Sequence, residues 1–599
     1  MPRIRYVFLP VLLTLAAHPA LAQNHITYHV EPVAQNKTFK VAIDIPAVKE
    51  LTVRVQMPVW MPGAYFVGNF ANSVSDVHAA DAGGSKRTLR VFHPDPNTWE
   101  VGANGAHSVR LEYTVKGADI EEEAGKPRRG HISGPTTYMY VVGRKTEPCD
   151  LEIKNPAGTV SWPTICSLDS STAQTDSRGT SIYTAPTYDV LADAPVEMGD
   201  YGDETFEAGG KPMHVVVYGD YKTTDRAKLL DYCKKIANEE ISFFGGAPFA
   251  RYVFEFRTTS AATRGAGGLE HLGSTEIGTV GSVEDRVRSV IAHEFFHLWN
   301  VKRIRPFVLG PFNYVDPPHT ANLWWSEGIT SYYGDLLSER AGLNTKEEYL
   351  KHIADTIGQQ QNNPGRLKVS ADEASLRVWE ANNSSGLGIS YYTKGELIGV
   401  CLDLKLRSIT DGKVTLDDVM KALWAQVRHG DGPGFGEDDI KKTVNRLSGQ
   451  NLSDFYDVVA RSLDELPLEE CLKLAGLKLN RDEPAKQQGE SGMRTSFDRT
   501  SRGIAVAEVT PGGAAETAGL KAGDKITGVN GSTEGRSMFG PLMGAKPGDK
   551  LSIVVNRGGT SINVEMTMGS RSIYSYSIAP DPGATKTQIA IRDSWLSGH

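Results

Sequence analysis

The chain has 599 residues, 40% of them hydrophobic and 23% charged, with a formal net charge of −8. That length exceeds a single core and calls for about three or four domains. The ordinary composition excludes a fibrous or disordered protein, and the acidic balance excludes broad affinity for nucleic acid or anionic membranes.

Residues 1–22 join Arg3 and Arg5 to an apolar run that ends in Ala20-Leu21-Ala22, the small-x-small pattern of a cleaved export signal. The run is short for a membrane span of about 20 residues and is broken by Pro10, His18 and Pro19. The sequence therefore predicts export, to the periplasm or the medium, of a mature chain that begins near Gln23 and has no membrane span. Only five cysteines are present and none has CxxC spacing, so hydrophobic cores and not disulfides must hold the fold, although Cys149 and Cys166 bracket a loop-rich stretch and can pair.

Residues 23–205 read as short alternating stretches such as "HSVRLEYTVKG" between Gly, Pro and Asn turns, the pattern of a β-sandwich. Residues 206–485 open with a short β region and continue in segments of 3.6-residue periodicity. Ser282 with Asp285, and Thr415 with Asp418, have the capping-box spacing that starts a helix. Residues 480–501 are polar and read as a linker or an irregular lead-in; 495–575 return to short strands, and 576–599 read as a tail.

Within the helical part stands "HEFFH", residues 293–297. Positions four apart share a helix face, so His293 and His297 can direct both imidazoles at one ion, while Glu294, about 100° round the helix, reaches a water on that ion without ligating it. A catalytic zinc takes three protein ligands and leaves its fourth position to water, whose pKa it lowers towards ~7. The third ligand is read as Glu327, an acidic residue among aromatic and small neighbours in "NLWWSEGITSYYGDLL", where an uncompensated carboxylate costs several kcal/mol.

These motifs resemble the gluzincin metallopeptidases, and more closely the M61 glycyl aminopeptidase family, through "MPVWMPGAY", "GGLEH", "HEFFHLWNVKRIRP", "LWWSEGITSYY", "YYTKGEL" and "RDSWLSG". The resemblance implies a multidomain α+β chain: an N-terminal β-sandwich, a thermolysin-like zinc peptidase domain with a helical C-terminal part, and a C-terminal PDZ domain. It implies one Zn²⁺ per chain on His293, His297 and Glu327, with Glu294 as the general base. By analogy with the Gly-x-Met-Glu-Asn segment of M1 aminopeptidases, Glu270 binds the free α-ammonium of a peptide substrate, and Gly267 and Gly268 offer an edge to its backbone. Leu269 and His271 depart from the M1 residues. Tyr392, and less so Tyr391, matches the tyrosine that stabilises the oxyanion, and the implied preference is for N-terminal Gly or Ala. Ser331 stands where several gluzincins carry an aspartate that orients a histidine ligand, which leaves Asp335, one turn on, as the candidate for orienting it. Asn300, Lys302, Arg303 and Arg305 are expected to pair structurally.

"GLKAGDKITGVNG", residues 519–531, carries the PDZ resemblance; such a domain either binds peptides by strand addition near residues 501–506 or packs within the chain. Two further readings compete with the aminopeptidase: a thermolysin-type endopeptidase, and a PDZ-bearing peptide-binding protein with a non-catalytic metal site. The general base argues against the last, because a structural zinc site has no use for one.

Overall fold

A computed structural model of the chain describes residues 25–598 apart from 85, 124–127, 157–161, 169–173, 176–178, 220–223, 260–266, 281–284, 382–387, 428–433, 484, 499–502 and 534. The export segment and Ser282 therefore lie outside the described residues.

Alternation builds the N-terminal domain. In Val109–Lys116 the side chains of Val109, Leu111, Tyr113 and Val115 are buried and those between them are not, the period of a half-buried strand. This strand belongs to an eight-stranded sheet that shares a core with two four-stranded sheets. Cys149 lies in the eight-stranded sheet and Cys166 in one of the four-stranded sheets. They do not pair; all five cysteines are free and buried, because strand pairing commits the two thiols to different sheets.

The middle domain begins at Tyr201–Ala208, the first strand of a five-stranded mixed sheet. Three of its strands run parallel, and Gly267–Glu270 forms the outermost strand, antiparallel to Ser274–Val280. One face of this sheet and the helices after it share a single large core. The first of these, the histidine helix Asp285–Phe296, stops one residue short of His297, yet the His297 N–H still donates to the His293 carbonyl at 3.3 Å, which keeps the one-turn relation. Thr415 and Asp418 cap their helix as the spacing predicts.

The polar stretch read as a linker is strand instead. Leu477–Arg481 pairs with Tyr576–Pro580, and Lys486–Glu490 with Gly569–Ile573. Partners that far apart in sequence leave no local turn signal, which is why pattern reading missed them. Between these ladders sits a five-stranded β unit with its own core. Nor is the C-terminus a tail: helix Lys586–Ser597 returns to the middle domain and buries Trp595, whose indole N–H donates to the Tyr332 hydroxyl at 2.9 Å. No helix among the described residues is long and apolar enough to cross a membrane.

Candidate active site

Three groups converge between the histidine helix and the next helical segment. His297 Nε2 lies 3.2 Å and His293 Nε2 3.5 Å from Glu327 Oε2, and the two ring nitrogens are 3.0 Å apart. Their other nitrogens are engaged: His297 Nδ1–H donates to the Asn300 carbonyl at 2.7 Å, and His293 Nδ1 lies 3.3 Å from the Ser331 hydroxyl. Both Nε2 lone pairs thus face one point, with a carboxylate on its far side. The donor set fits a divalent metal ion, and so does the orphaned Oε1 of Glu327, buried without a partner. Burial opposes charge on His297, but Glu327 outweighs it and pushes the imidazole up to about 10; burial and His297 push His293 down. The same contacts hold Glu327 well below the usual carboxylate range against its own burial.

The Ser331 hydroxyl donates to the Glu327 carbonyl at 3.0 Å, so its oxygen is free to accept from His293 Nδ1–H. Asp335 does not orient the ring, since it lies a turn further along and pairs with His352 at 3.0 Å.

Glu294 is buried beside the histidines with one carboxyl oxygen unpartnered, and burial pushes it up to about 8. Its neighbour is the edge strand. A Cβ on Gly268 would meet the Glu294 carboxyl at 2.4 Å, so only glycine allows the strand this close. Gly267 lies beside it, exposed, and Glu270 at the end of the strand brings a carboxylate within 4.8 Å of the ligating atoms of Glu294 and His297.

The N-terminal domain closes this side. Gly63, at φ 85°, lies so near that a Cβ would stand 2.6 Å from Glu270 Oε2. Tyr65, held at φ 44°, is buried, and its hydroxyl is in the field of Glu327 and Glu270. Val301, at φ 145°, walls the same spot from the other side; a β-branched residue there is strained, and such strain persists only where the surroundings over-determine it. A cavity of about 20 Å³ remains beside Glu270, bounded by Trp60, Tyr65, Val301, Leu309 and Phe312. Lys302 is buried 3.0 Å from Asp193 and 3.9 Å from Glu270, a structural pairing that reaches the carboxylate at the end of the edge strand. Among the described residues, Arg303 donates to the Leu298 and Pro248 carbonyls and Arg305 to the Lys302 carbonyl.

Glu327 sits in a π-helical turn, Trp324–Ile329, that runs into the glutamate helix Thr330–Arg340. π-turns leave carbonyls displaced from the regular ladder. Here the Asn300 amide donates to two of them, Trp325 at 3.0 Å and Ser326 at 3.3 Å, so the last residue of "HEFFHLWN" clamps the turn carrying the carboxylate. The tyrosine helix, Tyr391–Ile409, crosses the turn at a glycine pair: a Cβ on Gly328 would stand 2.4 Å from Gly395 Cα, and one on Gly395 2.4 Å from the Trp324 carbonyl. This approach lays Tyr392 over His293, ring centroids 5.9 Å apart and planes at 25°, with Tyr391 buried behind it. All eight residues singled out in the sequence thus meet in one site. Tyr65 has no role assigned from sequence, because only tertiary structure brings a β-domain turn to the histidine helix.

The profile of the M61 glycyl aminopeptidase family matches residues 286–398, that of the peptidase M61 N-terminal domain residues 27–200, and that of the PDZ domain residues 479–538. The chain is similar to a solved aminopeptidase N family protein from Idiomarina loihiensis, with a TM-score of 0.76 and 26% identity over 95% of this chain and 100% of that one. Aminopeptidase A from Legionella pneumophila, solved in complex with aspartic acid, aligns with a TM-score of 0.45 and 11% identity over 93% of this chain and 57% of its own length. No curated protein matches the chain.

Proposed function

We propose that the chain, which matches the M61 glycyl aminopeptidase models over residues 27–200 and 286–398 and a PDZ model over 479–538, is a metallo-aminopeptidase that releases N-terminal Gly or Ala from peptides, using one Zn²⁺ held by His293, His297 and Glu327. Bound there, zinc supplies the Lewis acidity that polarises a scissile carbonyl and acidifies water. Glu294, which has one buried carboxyl oxygen without a partner, takes the proton of the attacking water and passes it to the leaving amine. Tyr392 donates its hydroxyl to the carbonyl oxygen as charge develops there. Glu270 holds the substrate α-ammonium, and the edge at Gly267 and Gly268 pairs with its backbone.

The observation that carries this reading is the position of Glu270. Its carboxylate lies within 4.8 Å of ligating atoms of Glu294 and His297, so an ammonium seated on it brings the first peptide bond, and not a later one, against the general base. The cavity beside it has room for about one water-sized group, which supports a preference for the smallest side chains. Export of the mature chain belongs to the same proposal and rests on residues 1–22; N-terminal sequencing of the secreted or periplasmic protein tests it.

The deciding experiment is a series of Xaa-p-nitroanilides with and without a chelator. Gly and Ala substrates should be cleaved fastest, activity should vanish on chelation, and zinc should restore it. Undiminished cleavage of a peptide whose N-terminus is acetylated would instead establish an endopeptidase.

A further inference from the structure

A second cluster of ligating groups lies along the same helices. Asp335 stands one turn beyond Ser331 on the glutamate helix, and Glu396 one turn beyond Tyr392 on the tyrosine helix. His352 joins them from helix Lys346–Gln361. Its Nε2 lies 2.8 Å from Glu396 Oε1 and 3.0 Å from Asp335 Oδ2, and the Thr356 hydroxyl is 3.4 Å from the same nitrogen. Both carboxylates are buried, at 7% exposure for Asp335 and 5% for Glu396, whereas the His352 side chain is 42% exposed.

Hydrogen bonding alone accounts poorly for this arrangement. One ring nitrogen carries at most one hydrogen, and that hydrogen aligns with one acceptor. Two buried carboxylates nevertheless converge on it, which brings like charges together. A cation has no such directional limit and satisfies both. The peptidase site shows the same signature, two ring nitrogens 3.0 Å apart against one carboxylate oxygen. A second observation is independent of these distances. The Tyr349 hydroxyl, on a side chain 1% exposed, is buried without a partner in the field of Glu396 and Asp335.

We infer that Asp335, His352 and Glu396 form a second metal site, for a divalent transition-metal cation. One imidazole with two carboxylates suits zinc or manganese; calcium prefers oxygen ligands alone. The exposed edge of His352 provides the path of entry and leaves a coordination position to water. An ion here joins the helix that follows Glu327 to the helix that carries Tyr392, so it is a structural clasp behind the peptidase site. The inference does not depend on how that site works.

The test is a count of bound metal. The full chain is stripped with a chelator, equilibrated separately with Zn²⁺ and Mn²⁺, gel-filtered and analysed by plasma mass spectrometry. With one of these ions wild type should hold two per chain, and His352→Ala, Glu396→Gln and Glu327→Gln one each. His352→Ala combined with Glu327→Gln should hold none. In the Glu327→Gln background the same ion should raise Tm, and His352→Ala should abolish that rise. If wild type, His352→Ala and Glu396→Gln hold equal numbers with both ions, the cluster is an imidazolium between two carboxylates and the inference fails. If only Glu327→Gln leaves the count unchanged, the peptidase metal site fails and this one stands.

Discussion

Ser331 shows how much one atom beside the metal centre decides. Its hydroxyl spends its hydrogen on the Glu327 carbonyl and offers His293 Nδ1–H a neutral acceptor at 3.3 Å. An aspartate there would orient the ring with a full charge and make it a stronger base. Ser331→Ala should therefore weaken metal affinity about 10–100-fold, the usual effect of losing such a partner. Competition with a chelator measures it, and kcat at saturating metal should stay near wild type. Glu294→Gln should do the reverse: metal content unchanged and kcat lower by about 10²–10⁴-fold, the range of a general base. Retention of full activity would remove Glu294 from the reaction. At this scale the sequence was most legible where chemistry forces a spacing. Two histidines four apart followed by a carboxylate among aromatics are readable because a helix fixes their relation. Tyr65 was not readable, since its contact with the site is made by domain packing and left only a glycine turn as a local trace.

Elements bring these residues together through close approach. The glycine pair Gly328 and Gly395 lets the tyrosine helix cross the π-turn with backbone against backbone, and this contact sets the distance between Tyr392 and the carboxylate of Glu327. Gly395→Ala puts a methyl group 2.4 Å from the Trp324 carbonyl, so either the helix or the turn must shift. Overpacking of this kind costs about 1–3 kcal/mol. Tm should fall accordingly, and kcat should fall with it because the helix that shifts carries Tyr392; a variant with wild-type kcat would show that the tyrosine does not act from this helix. Gly328 and Gly395 were visible in "SEGIT" and "YYTKGEL", but a glycine in a helical pattern tells only that something is near, not what. The same limit explains the strands read as linker and the helix read as tail: their partners are non-local, and periodicity reports faces without saying what covers them.

At the scale of the whole molecule, the N-terminal domain is joined to the peptidase domain through buried charge that ends at Glu270. His131 lies 2.7 Å from Glu197 and 3.1 Å from Glu276; His271 lies 3.3 Å from Glu276 and 3.1 Å from Asp193; Asp193 holds Lys302 at 3.0 Å, and Lys302 lies 3.9 Å from Glu270. Burial disfavours charge throughout, yet Asp193 and Glu276 push His271 up to about 9, while their cationic partners hold Asp193 and Glu276 down to about 2. These shifts describe the same contacts from both sides and do not add. The folded pKa of His271 exceeds its unfolded value near 6.5, so its contribution is complete below about pH 6.5 and lost as pH rises through about 9. The two carboxylates contribute above about pH 4, and that part is lost as pH falls towards 2. The domain junction is thus strongest between about pH 4 and 6.5. A rise from 6.5 to about 9 corresponds to roughly 3 kcal/mol at most. His271→Gln should therefore lower Tm by several degrees near pH 6, with the gap from wild type closing towards pH 9. A gap that stayed constant from pH 6 to pH 10 would mean that His271 acts by shape alone and that its charge does not hold the domains together.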